Sequence, residues 1–454
     1  MKKIILICLV CWCTVAQAVD VKDLKCELNI MPAGITTAEP CFSWTFVSDD
    51  VSPEHGSSRM MASEAVRMTC QKLIYLNVER LELARQKIGV GDSLYTKAYE
   101  SIIVLANNEL KKKIDPVTNK TVLPASGDIH DYYTLGSYYW PDSSKEDGLP
   151  WIYKDGEFNP INQGPETDWT RLKELFSSLN TLNLAYYFSG DEKYILKARK
   201  IVRVWFIDEN TKVNPNVDYG KAIPGKVSGT NFAIIDWTDL GKVITTIQLL
   251  EKSNLWSAND SIVMEKWLND YYKWLTESEF GILESTRSNN HATNYDYQLI
   301  GLMIYLGKLE EAEAKLEEVK LTRIATQIDQ DGGQPHELAR TKSVNYTVNN
   351  LWALARIADL GRRFTRVDLW DYQSENGASI KKAFDFVIPY FKGEANWKWK
   401  QITGGGAKKQ LVNLALPMVS KSELMLEEKI LPDGLNGYDK FKPYDVLIYA
   451  PDND

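Results

Sequence analysis

The chain has 454 residues, a formal net charge of −8, 14 Trp and 23 Tyr. The acidic balance argues against nucleic acid or an anionic membrane as the main partner and requires any anion site to be a local positive patch. The length is sufficient for a large core. After the first residues no stretch is long and apolar enough to insert in a membrane.

Residues 1–18 begin Met-Lys-Lys, continue as an apolar run from Ile4 to Val15 and end Ala16-Gln17-Ala18. This order reads as a cleavable signal peptide, so a periplasmic or secreted product is expected. Cys8, Cys11 and Cys13 leave with it, and Cys26, Cys41 and Cys70 remain. An odd count excludes full pairing. A Cys26–Cys41 bridge and two reduced thiols both stay open, and the spacing fits no zinc motif.

Residues 19–60 alternate like strands at Val21–Leu28 and Phe42–Val47, an extended, β-like N-terminal arm. From residue 61 to 454 the periodicity is helical. Apolar spacing predicts helices over 62–88, 92–113, 168–188, 192–206, 236–250, 259–275, 294–306, 309–328, 344–360, 378–391 and 408–419. In 192–206, Tyr194, Ala198, Ile201, Val202 and Trp205 form one apolar face. Gly190-Asp191 and Ser257–Asp260 read as helix stop and start signals. Paired helices with little strand pattern imply an all-α fold, an α/α toroid or bundle of helical hairpins. The connections 115–165, 207–235 and 279–293 are too long for plain hairpins and are rich in Tyr, Trp, Asn and Gly, which favours site-forming loops.

Four stretches could carry chemistry. The first holds His130 and the aromatic run Tyr138-Tyr139-Trp140. It reads either as a sugar-stacking loop or as rings sealing the loop onto the helices. The second, 214–232, offers amides and Lys221 and alone reads better as structural. The third is Arg287-Ser288-Asn289-Asn290-His291, where an amide can donate to a carboxylate and an imidazole can carry a proton near neutral pH. The fourth runs from Gln334 through His336, Glu337, Arg340 and Lys342 to Tyr346. On one helix, His336, Arg340 and Val344 would share a face, as would Lys342 and Tyr346. Arg340 offers a planar fork for a carboxylate, and Tyr346 is a proton carrier if neighbouring cations lower its pKa. Alone, the fourth stretch also fits a solvated basic helix face.

Together these pieces resemble the alginate-lyase family of polysaccharide lyases with an α/α toroid. The pieces are Gly127-Asp-Ile-His130-Asp-Tyr132, Tyr138-Tyr-Trp-Pro-Asp142 with Asp147-Gly-Leu-Pro150, Asn214-Pro with Ala222-Ile-Pro-Gly225, Asn289-Asn-His291, and Gln334-Pro with Glu337-Leu-Ala-Arg340 and Tyr346. They occur in one order over roughly residues 90–390. Where the family usually has Gly after Asn-Asn-His, this chain has Ala292. The 20–60 arm lies outside the resemblance.

The resemblance implies cleavage of a polyuronate, alginate containing mannuronate first, by β-elimination. Glucuronan or another polyglucuronate is the alternative polymer. Three tasks follow from the chemistry. Asn290 and Arg340, with His291 sharing, would neutralise the carboxylate so that the C5 proton becomes acidic. Tyr346 or His291 would take that proton, and Tyr346 would protonate the departing O4. Substrate binding would fall to His130, Tyr139, Trp140, Gln334, His336, Arg287 and Lys342, with Lys221 adding positive potential and Trp237 a further stacking ring. The scheme needs no metal or cofactor. A glycoside hydrolase on the same scaffold would instead need two carboxylates across the bond, drawn from Asp128, Asp131, Asp296 and Glu337. A non-catalytic glycan-binding protein would need only the aromatic loop. Endo or exo action and oligomeric state are open at this stage.

Overall fold

The computed structural model describes residues 20–26, 42–47, 72–392, 394–402 and 443–449. The chain divides into two units, Met1–Lys72 and Leu73–Asp454. In the first, β1 (Asp20–Cys26) and β2 (Phe42–Val47) pair antiparallel, with Asp20 opposite Val47 and Cys26 opposite Phe42. The signal peptide, Cys41, Cys70 and the helix expected at 408–419 lie outside the described residues, and with them the question of a Cys26–Cys41 bridge.

The second unit is helical. Its elements are α1 (Val78–Gly89), α2 (Ser93–Lys111), α3 (Trp169–Ser189), α4 (Glu192–Phe206), α5 (Gly241–Lys252), α6 (Ala258–Glu277), α7 (Glu279–Ser285), α8 (Asn290–Tyr305), α9 (Leu309–Val319), α10 (Pro335–Leu338), α11 (Ser343–Phe364), α12 (Ile380–Lys392) and α13 (Pro443–Tyr449). Neighbours in sequence pack as hairpins, α2 with α3, α3 with α4 and α8 with α9, while α8 also lies along α11. The inner helices are buried nearly all round. In α8 every residue except His291 and Tyr305 is buried. The outer helices bury one stripe, as in α4 with Tyr194, Ile195, Ala198, Ile201, Val202, Trp205 and Phe206. Two layers of helices around one core match the toroid expected from the pattern.

The terminators act as their chemistry requires. Gly190 ends α3 at φ +70°, and Asp191 caps α4 by accepting from the Lys193 N–H. Ser257 caps α6 in the same way. Three expectations are corrected. The helix expected from residue 62 begins, among the described residues, only at Val78; residues 74–76 bend, and Arg363 donates to the carbonyls of Leu73, Ile74 and Leu76, which are thereby taken from any helix. Residues 279–293 are not an open connection, because α7 fills them and α8 starts at Asn290. Residues 335–346 are not one helix: the chain turns between α10 and α11, so His336 is exposed while Val344 is buried.

Short strands stiffen the long connections. β3 (Tyr133–Leu135) runs parallel to β6 (Tyr219–Ala222), and β4 (Tyr139–Trp140) pairs antiparallel with β5 (Ile152–Tyr153). Trp237 sits in the core, with ring contacts to Tyr132, Phe176, Phe206, Trp267 and Tyr271. It is 1% exposed, so it cannot stack on a ligand. Among the described residues no helix is long and apolar enough to cross a membrane.

Candidate active site

His291 occupies the first turn of the most buried helix. Asn289 caps that helix, its side chain accepting from the His291 N–H. The cap is held from behind by amides. Gln327 donates to the Asn289 carbonyl and accepts from Thr293 and Asn350, and Asn350 donates to Gln334. Gln334 is fully buried, with its nitrogen on the Thr347 carbonyl. Its expected contact with substrate is therefore corrected: both ends of its amide are engaged inside the protein.

The His291 ring is fixed on one side. Its Nδ1 lies 2.6 Å from Oε1 of Glu284, a fully buried carboxylate on α7. Asn231 donates to the other Glu284 oxygen at 2.5 Å, and Arg287 donates to Asn231 at 3.1 Å. Phe232 packs its ring against His291 and lies under the Arg287 guanidinium. An ionised Glu284 accepts from Nδ1–H, which leaves Nε2 as the lone-pair nitrogen. Glu284 was not singled out from sequence, because its short helix carries too few residues for a periodic signal.

Asn290 turns the other way. Its backbone N–H donates to Glu337 Oε1 at 2.6 Å and its amide nitrogen reaches both Glu337 oxygens at 3.0 and 2.8 Å. Asn290 therefore does not offer a free donor to a ligand in this arrangement, contrary to the role expected for it. Burial pushes the Glu337 carboxyl above its usual range, although the hydrogen bonds from Asn290 and the charge of Arg340 pull the other way.

Arg340 links α10 to the β4–β5 hairpin. Its Nε and Nη2 donate to Asp155 Oδ1 at 3.1 and 2.6 Å. Asp155 also accepts from the N–H and hydroxyl of Thr341 and from the Tyr153 hydroxyl. Burial alone would raise Asp155, but these hydrogen bonds together outweigh it and hold the carboxyl well below the usual range. The Nη1 side of Arg340 has no hydrogen-bond partner among the described residues. Its guanidinium lies 4.0 Å from the centre of the Tyr346 ring.

Tyr346 donates to the Tyr138 hydroxyl at 2.8 Å. Burial, and then Tyr138, raise its pKa well above that of a free phenol, and Arg340 offsets only part of this. The lowering expected from nearby cations is thus not what this geometry gives: at rest Tyr346 is a neutral phenol, a proton donor. Lys342 stands over the Tyr138 ring at 5.7 Å. Residues 394–402 brace the turn from outside, with Ser343 donating to the Lys400 carbonyl and Ile402 to that of Thr341.

The remaining candidates divide. Tyr139 and Trp140 are half-buried on the hairpin, Tyr139 against Tyr153 and Trp140 tied through its indole N–H to the Glu157 carbonyl. Arg287 joins the His291 cluster as described. His130 does not: its Nδ1 lies 2.6 Å from the Lys212 carbonyl, and it shares no contact with His291, Arg340 or Tyr346 among the described residues. His336 is exposed and has no hydrogen-bond partner there. Lys221 is spent on Asp236 at 3.1 Å. The carboxylates that a hydrolase would need are occupied. Asp296 is buried with Arg323 and Lys315, Asp131 is held by Ser126 and Asn214, and Glu337 by Asn290. Among the described residues no group of three His, Cys, Asp or Glu could hold a metal ion.

The sequence model of the family described as alginate lyase matches residues 116–397. That span contains every candidate side chain named above. A crystal structure of an alginate lyase from Bacteroides ovatus is 33% identical, covers 84% of this chain and 96% of its own, and superposes with a TM-score of 0.73. Alginate lyase A1-III from Sphingomonas species A1 is 17% identical over 83% of this chain and 95% of its own, with a TM-score of 0.48. A tetrasaccharide complex of an A1-III variant is 15% identical over 84% and 96%, with a TM-score of 0.50. No curated protein sequence matches. On the family match and the 33% identity, this α/α-toroid chain belongs to the alginate lyase family of polysaccharide lyases.

Proposed function

We propose that the protein cleaves alginate, mannuronate-containing stretches first, by β-elimination, leaving unsaturated oligosaccharides. The observations that support this reading are an imidazole whose Nδ1 is pinned by Glu284 and a neutral phenol, Tyr346, under the Arg340 guanidinium, with Glu337 close enough to feel both His291 and Arg340. His291 Nε2 is the base for the C5 proton. Tyr346 is the acid that protonates O4 as the C4–O4 bond breaks, with the C5 electron pair forming the C4–C5 double bond. Arg340, through Nη1, holds the substrate carboxylate and stabilises the charge that develops on it. Asn290 serves by fixing Glu337 through its backbone and side-chain N–H groups. Tyr139, Trp140 and Lys342 on the hairpin side, and Arg287 on the other, are the supporting substrate contacts.

The test is ultraviolet absorbance of the conjugated product from polymannuronate, polyguluronate and glucuronan offered in parallel. Absorbance should rise on polymannuronate, and Tyr346→Phe should lower kcat by about 10²–10⁴-fold, the usual worth of one general acid. Absorbance on glucuronan alone would replace alginate with that polymer. New reducing ends without absorbance would overturn elimination. The signal-peptide-like start at residues 1–18 supports export to the periplasm or beyond, and N-terminal sequencing of the mature chain would test it by the absence of those residues.

A further inference from the structure

The stretch 214–232, which reads as structural on its own, ends against His291. Thr230 is tied to β6, its N–H on the Gly220 carbonyl and its hydroxyl on that of Lys221. Gly229 passes so close to Asp218 that a Cβ there would meet the Asp218 carbonyl oxygen at 1.8 Å. The next residues open the 3₁₀ helix Asn231–Leu240, which Trp237 anchors in the core. Two neighbours are thereby set on one assembly. Phe232 packs its ring on the imidazole, and Asn231 reaches the carboxylate behind it.

Asn231 is 4% exposed, too buried to meet a polymer, and both ends of its amide are engaged. Nδ2 donates to Glu284 Oε2 at 2.5 Å, and Oδ1 accepts from Arg287 Nη2 at 3.1 Å. An amide has one donor end and one acceptor end. Turned over, it would set its oxygen against a carboxylate and its N–H groups against a guanidinium. Arg287, stacked 4.6 Å from the Phe232 ring centre, thus fixes which end faces Glu284. Among the described residues the side-chain partners of Glu284 are His291 on Oε1 and Asn231 on Oε2. A fully buried carboxylate stays an acceptor only while donors hold it. Without Asn231, Glu284 would keep a proton of its own and donate to Nδ1. The imidazole proton would then sit on Nε2, the nitrogen that must be bare. The other charges around the pair have partners. Arg323 reaches the Ser285 carbonyl and pairs with Asp296, and Glu337 is held by Asn290.

We propose that Asn231 is a positioning residue for the base: oriented by Arg287, it holds Glu284 as an acceptor and so keeps the lone pair of His291 on Nε2. The inference rests on the reading of His291 as the base only for its consequence in turnover; the tautomer is a property of the protein alone. That tautomer can be read directly. The chain has four His, so nitrogen NMR of the whole protein with labelled histidine gives few signals, and His291→Gln identifies the one in question.

At a pH where the ring is neutral, wild type should show His291 protonated on Nδ1 and bare on Nε2. Asn231→Leu, of similar shape but without polar atoms, should move the proton to Nε2 in part or in full, with the His130 and His336 signals unchanged as a check on the fold. Asn231→Gln, which keeps the donor, should restore part of the wild-type signal. If Asn231→Leu does not fold, Asn231→Ala reads the same signals. On polymannuronate the apolar variant should lower kcat about 10–100-fold, the worth of one hydrogen bond to a charged group, with KM little changed. Part of that rate should return at higher pH, where Glu284 gives up its proton. A His291 tautomer that ignores the loss of Asn231, or a wild type with the proton on Nε2, would overturn the inference. A tautomer that follows Asn231 in a protein that forms no unsaturated product would keep the inference and sink the lyase reading instead.

Discussion

In the proposed mechanism His291 takes a proton only if the right nitrogen faces the substrate, and Glu284 on Nδ1 sets that choice. A carboxylate on Nδ1 selects one tautomer and one ring orientation, a task distinct from touching substrate. Glu284→Gln keeps the shape but replaces an acceptor-only group with one that can also donate. The expected result is a fall in kcat of roughly 10²-fold, within the general-base range, with KM little changed. Glu284→Asp should recover part of the loss. Steady-state kinetics on polymannuronate check this, and a rise in KM without a fall in kcat would count against it. The amide-to-histidine run and the spacing of Arg340 and Tyr346 were legible in the sequence. The facing of Asn290 and Gln334 was not. Each is turned inward by a partner far along the chain, Glu337 for Asn290 and Asn350 for Gln334, and local pattern carries no record of such pairings.

At the scale of elements, the β4–β5 hairpin is fastened to the α10–α11 turn mainly through Asp155. Gly156 beside it has φ +75°, and a Cβ there would run into the Thr341 hydroxyl, so the backbones need glycine to meet. The Asp155 carboxyl is depressed in the folded protein. Its contribution to stability is therefore present above the unfolded value near 3.9 and lost as pH falls through the folded value. Asp155→Asn should unfold at a lower temperature than wild type at pH 7, with the gap narrowing below about pH 4. Thermal unfolding across pH checks it; a gap that stays constant with pH would mean that the tie is not ionic. Element boundaries followed the same logic of what the sequence can hold. α4 was read at both ends because a glycine, an aspartate and a five-residue apolar stripe mark it. α8 was read four residues late, because its first turn is polar and is buried by the amide network, not by an apolar face.

For the molecule as a whole, one buried charge cluster joins the layers. Asp296 on α8 meets Arg323 at 2.7 Å and Lys315 at 3.1 Å, and Arg323 also donates to the Ser285 carbonyl at the end of α7. The carboxyl and guanidinium are nearly sealed from solvent, so removing one partner strands the other. Arg323→Met should cost about 3–5 kcal/mol of stability, read as a lower denaturant midpoint at unchanged slope. A loss within error would mean that Lys315 alone satisfies Asp296.

The burial of α8 has a consequence in time as well as in space. A helix enclosed on every side cannot fray without opening the core, so the backbone under His291 shares the lifetime of the folded state. The opposite wall, carried by the β4–β5 hairpin, is fastened at its rim by side chains, through Asp155 to Arg340 and Thr341. Its backbone amides should therefore exchange with solvent faster than those of α8, which hydrogen exchange on the folded protein would check.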